Sequence, residues 1–314
     1  MGTAPATRTM PLAKRMRRWF SPLDLMCIPA VVYLLFNNYI PMYGLVIAFK
    51  KIDFSKGLYG GPWVGLKNFV YLFKTPDAWL MTRNTILYNL AFILIMNFLG
   101  VAVGIILSEI LAKRATKVYQ TTILLPQLIS IIIVANLVYG FLSLSSGVVN
   151  KTILPMLGLE AIDFYSSPVY WPFILTGVNI WGGIGYASLL YYASIIGIDR
   201  ELYDAAYVDG ASKFRQIRYI TMPMLKPTVV MLVIMAVGRI FSSNFGLFYQ
   251  VPMNSGPLIK VTQTIDTYVF RGLMQNNNIP MSSAAGAYQS VVGLVTVLLA
   301  NYFVRLIDRD SALM

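Results

Sequence analysis

The chain alternates long apolar segments with short polar ones, and the apolar segments are long enough to cross a membrane. Ile86 to Leu107 contains no charged residue over roughly the ~20 residues that a spanning helix needs. A chain in lipid must pair its backbone groups internally, so the pattern predicts an all-α polytopic membrane protein. The six predicted spans are Leu23–Phe49, Thr82–Leu111, Tyr119–Leu142, Val169–Ile198, Met222–Tyr249 and Ser283–Leu306.

Composition supports the membrane class. Hydrophobic residues make up 57% of the 314 residues and charged residues only 12%, whereas soluble domains carry about 25% charged residues. The net charge of +12 does not indicate nucleic-acid binding, because no basic segment lies in a soluble domain of sufficient size. Lipid is the expected surrounding partner.

The orientation follows from basic residues before the first span. Lys14, Arg15, Arg17 and Arg18 form a cluster of the kind that stays in the cytoplasm. We therefore expect a cytoplasmic tail over 1–21, a transmembrane permease domain over 22–314 and both termini in the cytoplasm. The connections 112–118 and 199–221 are then cytoplasmic as well, and the protein resides in the inner (cytoplasmic) membrane.

Several kinds of chemistry are excluded by residue content. There is no histidine and only one cysteine, Cys27, which rules out histidine-based catalysis, His-ligated zinc and an intrachain disulfide. The chain has no G-x-x-x-x-G-K-[ST] phosphate loop, so it does not bind ATP in that way. We predict no catalytic residue, no metal and no cofactor in this chain, and hence no enzyme.

The connection between the fourth and fifth spans is far longer than the ~2–8 residues that a simple reversal needs. Its sequence predicts one short helix over Glu201–Val208 and a second over Ala211–Ile220. Gly210 permits the left-handed turn between them, and Pro223 marks the return to the membrane. An exposed short helix with an apolar stripe needs a partner groove or a membrane surface.

The spacing in this connection resembles a known family. It runs D-A-A, three residues, G, nine residues, I, one residue, M-P. This is similar to the E-A-A-x3-G-x9-I-x-L-P pattern of membrane subunits in binding-protein-dependent ABC importers, with Asp204 for Glu and Met222 for Leu. The resemblance implies a type I ABC importer permease fold with a coupling helix seated in an ATPase subunit. The residues it assigns to coupling are Asp204, Ala205, Ala206, Gly210, Ile220 and Pro223.

The same resemblance implies partners and a class of substrate. ATP and Mg would be bound by two separate ATPase subunits, and a second homologous permease would complete a heterodimer. A solute-binding protein would deliver the solute from outside. Residues 202–227, together with Asp266 to Val269 and Arg271, look most like the LplB-type sugar permeases, which implies an oligosaccharide importer.

Candidate pathway residues lie in the fourth and fifth spans. Arg239 interrupts an apolar segment, and a charge at membrane depth indicates a lined cavity. Polar and aromatic side chains suit sugar rings, although interhelical hydrogen bonding explains them equally well. The other candidates are Asn179, Trp181, Asn244, Phe245 and Tyr249.

The charge of the substrate is the least determined feature. Arg239 and the lysines of the first external loop favour an acidic oligosaccharide, such as an alginate or pectin fragment, but lysines near membranes also bind lipid headgroups. Neutral oligosaccharides remain open.

An ion-coupled secondary transporter of a polar solute is the alternative function. It would need carboxylates in the middle of the membrane, whereas Asp24 and Glu109 lie at span ends.

Overall fold

The computed structural model describes residues 22–307, and these residues fold as helices joined by turns. Among these residues, five helical segments are long and apolar enough to cross a membrane, and a bent pair of helices is a sixth if the pair forms one span. The all-α, six-span prediction is confirmed. The candidate spans are Asp24–Phe49, Pro76–Ser108, Lys113–Leu128 with Ile131–Leu142, Pro168–Ile196, Lys213–Val237 and Ile279–Arg305.

We number the principal helices along the chain. The first span continues from α1 through a π-helical turn and ends in a 3-10 helix, Tyr43–Phe49. The predicted tail over 1–21 lies outside the described residues. The helices are α1 Pro22–Leu34, α2 Lys67–Lys74, α3 Pro76–Ser108, α4 Lys113–Leu128, α5 Ile131–Leu142, α6 Trp171–Ile196, α7 Arg200–Val208, α8 Lys213–Val237, α9 Phe245–Tyr249, α10 Ile265–Met274 and α11 Ile279–Ile307.

Helices α3 and α6 run side by side and make the most extensive contact between any two helices of the described residues. Gly100 and Gly104 of α3 lie against the side chain of Tyr191, so close that a Cβ at either position would be 3.0 Å from it. Tyr191 donates a hydrogen bond to Asn97 on α3. Small residues let helix backbones approach in lipid, where packing replaces the hydrophobic effect between helices. Both helices end near α7, and we call this end of the bundle the α7 end.

The second predicted span begins earlier than expected. Thr82 was the predicted start, but α3 begins at Pro76 and ends at Ser108. Proline is favoured in the first helical turn because its missing N–H has no partner there in any helix. The polar first turns therefore belong to the same helix as the apolar run.

Two predicted spans are broken in the structure. The segment Tyr119–Leu142 bends by 91° between α4 and α5, because Ile129 and Ser130 adopt extended backbone conformations. The predicted fifth span, Met222–Tyr249, is wrong at both ends: α8 runs from Lys213 to Val237, and Tyr249 belongs to the separate helix α9.

The predicted second loop helix, Ala211–Ile220, is the beginning of α8 and not a separate element. A π-helical turn, Ile217–Thr221, connects the first turn of α8 to the apolar part. Such a turn accommodates Pro223, which cannot donate the usual backbone hydrogen bond. The helix thus enters the membrane without a break at the proline.

Helix α6 packs closely against the backbone of α4 at Gly185. A Cβ at this position would overlap the Ile123 carbonyl group and lie 2.6 Å from its carbon atom. We expect Gly185→Ala to destabilise the protein by ~1–3 kcal/mol, although Ala in place of helical Gly usually stabilises by up to ~1 kcal/mol. Thermal unfolding in detergent would show this. Gly177→Ala on the same helix, where nothing lies within 4 Å, is the matched control, and equal melting temperatures would contradict the expectation.

Candidate functional site

A cavity of about 300 Å³ lies where the two broken spans meet α6. Non-helical backbone is tolerated at membrane depth where it lines a cavity or is buried in protein. The break between α4 and α5 and the start of α9 both contribute to its wall. Its lining residues are Pro126, Gln127, Ile129, Ile131, Val134, Val178, Asn179, Trp181, Gly182, Gly183, Asn244 and Leu247.

The cavity is uncharged, and amide side chains share its wall with apolar residues. Three amide side chains, Gln127, Asn179 and Asn244, share it with the indole of Trp181, and none of its lining residues carries a charge. The Asn244 Oδ1 atom caps α9 by accepting from the Leu247 N–H, at 3.2 Å. Amides both donate and accept hydrogen bonds, which matches hydroxyl groups, and an indole face can lie against the C–H face of a sugar ring.

Side chains from two neighbouring helices satisfy the backbone of the break after α8. Asn89 of α3 donates through Nδ2 to the carbonyls of Ile240, at 2.8 Å, and Ser242, at 3.2 Å. Gln289 of α11 donates to the Phe241 carbonyl at 2.9 Å. Unpaired carbonyls at this depth would cost several kcal/mol each. The fold therefore stabilises this break, because it supplies hydrogen-bond donors for these carbonyls.

Asp266 of α10 holds the same break from the other side. Its Oδ2 atom accepts from the backbone N–H and the hydroxyl of Ser243, both at 2.7 Å, and Oδ1 accepts from Gln289 at 3.1 Å. Hydrogen bonds to an ionised carboxylate are the short and strong ones. Asp266 was noted in the sequence only through the family resemblance, and the structure gives it a positioning role next to Asn244.

Three of the six predicted pathway residues meet at the cavity. Asn179 and Trp181 lie on α6, and Asn244 begins α9. The cavity also contains Gln127 and Gly182, which are not among the predicted pathway residues. The Pro126-Gln127 pair near the end of α4 is the signal for the first of these, since proline inside a helix marks a break.

The other three predicted pathway residues do not line this cavity. Phe245 and Tyr249 stack on one face of α9 with ring centroids 5.0 Å apart, and both rings also contact Phe270. Arg239 follows the end of α8, and its side chain is exposed. Its assignment assumed a continuous helix through position 239, so its pathway role stays a prediction.

A buried arginine lies beside this aromatic group. Arg271 is only 7% exposed, and its Nε donates to Asn254 Oδ1 at 2.8 Å. Its guanidinium lies 5.7 Å from the Tyr249 ring centroid. Burial lowers the pKa of Arg271, and the neighbouring Tyr249 opposes that shift. Arg271 thus ties α10 to the segment that follows α9.

The connection between α6 and α8 is largely exposed. We call residues 199–221, which contain α7 and the first turns of α8, the bracket. Asp199 caps α7 by accepting from the Glu201 N–H at 3.1 Å. Gly210 has φ +75°, as predicted, and this left-handed conformation ends α7. The Tyr203 hydroxyl lies 2.9 Å from the Thr221 hydroxyl and fixes α7 against α8.

One ion pair joins this connection to the bundle. Lys213 at the start of α8 contacts Glu109 at the end of α3, at 2.8 Å. Both side chains are well exposed, so the pair contributes less than about 1 kcal/mol. It orients α8 more than it stabilises the fold.

The predicted coupling residues surround a surface that no described residue covers. Asp204, Ala205, Gly210 and Pro223 are exposed, while Ala206 and Ile220 are half-buried. Large apolar side chains in the same region are also exposed. These are Leu202, Tyr207, Val208 and Phe214.

The chain is similar to sugar permeases of bacteria. It is 33% identical over 279 residues to the polygalacturonan/rhamnogalacturonan transport system permease protein YteP of Bacillus subtilis (strain 168), which covers 89% of this chain and 86% of that protein. It is 30% identical over 319 residues to Protein LplB of the same organism, covering 99% of each.

Its fold is similar to a chain in a crystal structure of a bacterial ABC transporter involved in the import of the acidic polysaccharide alginate. The TM-score is 0.84 at 33% identity, covering 95% of this chain and 99% of that one. A second structure, of a bacterial alginate ABC transporter in complex with alginate pentasaccharide-bound periplasmic protein, gives a TM-score of 0.83 at 32% identity and covers 94% and 97%.

These similarities extend over nearly the whole chain and include its helix order. Residues 57–310 match the family described as the binding-protein-dependent transport system inner membrane component. The segment 204–223, the six spans and the fold all agree with that assignment. This chain therefore belongs to the family of inner membrane components of binding-protein-dependent transport systems, as a multi-pass ABC transporter permease.

Proposed function

We propose that this chain is the permease subunit of an ATP-driven oligosaccharide importer and forms the membrane pathway with a second permease. The observation that carries the proposal is the uncharged cavity at the two helix breaks. Its amides and indole suit the hydroxyls and ring faces of a sugar. The similarity to a polygalacturonan/rhamnogalacturonan transport permease and to a transporter involved in alginate import supports the same class of substrate.

Coupling to separate ATPase subunits would take place at α7. One side of the bracket is fixed to the bundle through Tyr203 and Lys213. The other side exposes Tyr207, Val208 and Phe214, and large exposed apolar side chains mark an interaction surface. The α7 end is then cytoplasmic, with both chain termini on the same side. ATP and Mg would be held by those partners, and the opposite end would receive the solute-binding protein.

The preferred substrate would be an acidic oligosaccharide such as a uronate oligomer. No charged side chain lines the cavity. A carboxylate of the sugar would therefore accept hydrogen bonds from backbone N–H groups. Helix α5 begins at the cavity with Ile131, and Ser130 provides no side-chain cap. The N–H groups of a first helical turn have no intrahelical partners, and they form the positive end of the helix dipole.

A panel of sugars tests this proposal. The permease pair, its ATPase and a solute-binding protein would be co-reconstituted in liposomes, and ATP hydrolysis measured with uronate and neutral oligosaccharides of equal length. We expect uronate oligomers to stimulate hydrolysis and to accumulate inside. Equal stimulation by neutral oligomers would contradict acid selectivity, and no stimulation by any sugar would contradict the oligosaccharide pathway.

A further inference from the structure

A second groove, of about 350 Å³, opens on the outside of the bundle at the end opposite α7. It lies between residues 83–91 of α3, the start of α6 and the short helix Ile259–Thr262. Leu87, Ala91, Pro172 and Val261 give it apolar walls. It is separate from the cavity at the helix breaks, because the two share no lining residue.

The mouth of this groove carries a cation that the fold holds in place. Arg83 donates through Nε, at 3.3 Å, and Nη2, at 3.0 Å, to Asn84 Oδ1. Asn84 is only 4% exposed, and its Nδ2 donates to the carbonyls of Lys260 and Gln263. Its amide is therefore fixed, and the guanidinium is oriented before any ligand arrives.

The charge of Arg83 is not neutralised within the described part of the chain, where its side chain is exposed and makes no salt bridge. The side chain of Lys260 is exposed next to the groove and adds a second positive charge. Asp77, the acid nearest along α3, accepts from Gln263 at 3.1 Å. The mouth thus has an excess of positive charge.

Residues along one face of α3 follow the polarity profile of a membrane leaflet. Trp79, 72% exposed, comes first, Arg83 follows one turn later, and Leu87, 57% exposed, and Leu94, 63% exposed, continue inward. Exposed tryptophan is typical of the headgroup level. Arg83 is about 10 Å along α3 from Pro76, at 1.5 Å per residue. Because it lies between Trp79 and Leu87, its cation lies between the headgroup level and the apolar interior.

The floor of the groove contains an unsatisfied polar group. Tyr88 is 9% exposed, and its hydroxyl is buried with no hydrogen-bond partner among the described residues. A buried polar atom without a partner is costly, and the groove is the open space next to this side chain.

The geometry points to a binding site for an anionic phospholipid, with the phosphate on Arg83 and an acyl chain along Leu87 and Ala91. A guanidinium pairs with phosphate through two parallel hydrogen bonds, and the apolar groove excludes a free, fully hydrated phosphate ion as its natural occupant. A zwitterionic lipid would add a positive charge to a mouth that already has an excess of it.

Native mass spectrometry of the purified importer complex tests the site, with phosphatidylglycerol or phosphatidylcholine added in detergent micelles. We expect phosphatidylglycerol to be retained preferentially, and Arg83→Gln to weaken retention roughly tenfold, the effect of losing a hydrogen bond to a charged group. Leu87→Trp, which fills the groove and keeps the cation, should also displace the lipid. Arg114→Gln is the matched control, since Arg114 is exposed on α4 at the other end of the bundle.

Two results would overturn this proposal. Equal retention of phosphatidylglycerol by the wild-type and Arg83→Gln complexes would show that Arg83 does not bind the lipid phosphate. A photo-crosslinker at position 87 that labels the second permease and not lipid would show that a protein covers the groove. Arg83→Lys separates the effect of the positive charge from that of the guanidinium geometry, because lysine keeps the charge but cannot form two parallel hydrogen bonds. This variant should retain part of the binding.

Discussion

Gly210→Val is expected to reduce ATP-driven uptake at least roughly tenfold while the protein remains folded in the membrane. Gly210 has φ +75°, and nothing lies within 4 Å of an added Cβ. The cost therefore comes from the backbone, where a left-handed residue other than glycine costs ~1–2 kcal/mol and a β-branched one is an outlier. Relief of this strain would reorient α7 relative to α8 and remove the surface proposed to meet the ATPase.

Gly158→Val is the matched control for this experiment. Gly158 also has positive φ, +68°, with nothing within 4 Å of an added Cβ, but it lies in the loop between α5 and α6. Uptake into proteoliposomes and ATP hydrolysis stimulated by loaded binding protein would be measured for both variants. Gly210→Asn should retain most activity, because asparagine tolerates the left-handed region. Equal activity of the two valine variants would contradict a coupling role for this turn.

The six spans could be predicted because lipid imposes a length and a polarity that are visible in one dimension. Ile86 to Leu107 had to be a spanning helix, and it lies inside α3. The breaks were missed because apolar residues continue through them: Ile129 lies in the first and Ile131 follows it, and Ile240 and Phe241 lie in the second. Hydrophobicity does not distinguish an apolar helix from an apolar turn.

A local signal for the second break was nevertheless present. Ser242, Ser243 and Asn244 are residues whose side chains compete for backbone hydrogen bonds and start helices, and Asn244 does cap α9. The partners that stabilise this break, Asn89 and Asp266, are distant in the chain. Their roles follow from tertiary structure alone, which is why a sequence could suggest Asn244 as a site residue without explaining its position.

The geometry of the proposed coupling segment was predictable to a greater degree because it is local. Gly210 has the left-handed conformation that its position at the end of a short helix required. The misplaced element was the second short helix, because Pro223 suggested a boundary. The π-helical turn Ile217–Thr221 accommodates the proline, so the helix continues without a boundary there. One continuous helix, Lys213 to Val237, therefore runs from the connection after α7 to the break that precedes Asn244.

Gly182→Leu is expected to block oligosaccharide passage, with at least a tenfold loss of uptake, without unfolding the protein. Gly182 lines the cavity between Trp181 and Gly183, and no atom lies within 4 Å of an added Cβ. The leucine side chain would therefore enter the cavity of about 300 Å³ and occupy space that a sugar ring needs. Leucine is also the better helix former by ~0.8 kcal/mol, so helix α6 should not be weakened.

Gly177→Leu provides the control on the same helix, five residues earlier, where an added Cβ also meets open space and the residue does not line the cavity. Uptake of a labelled oligosaccharide and the thermal stability of both variants would be compared. We expect equal stability, normal uptake by Gly177→Leu and a loss confined to Gly182→Leu, with basal ATP hydrolysis retained. Normal uptake by a stable Gly182→Leu protein would show that the solute passes elsewhere, and the cavity at the two breaks would then serve helix movement and not recognition.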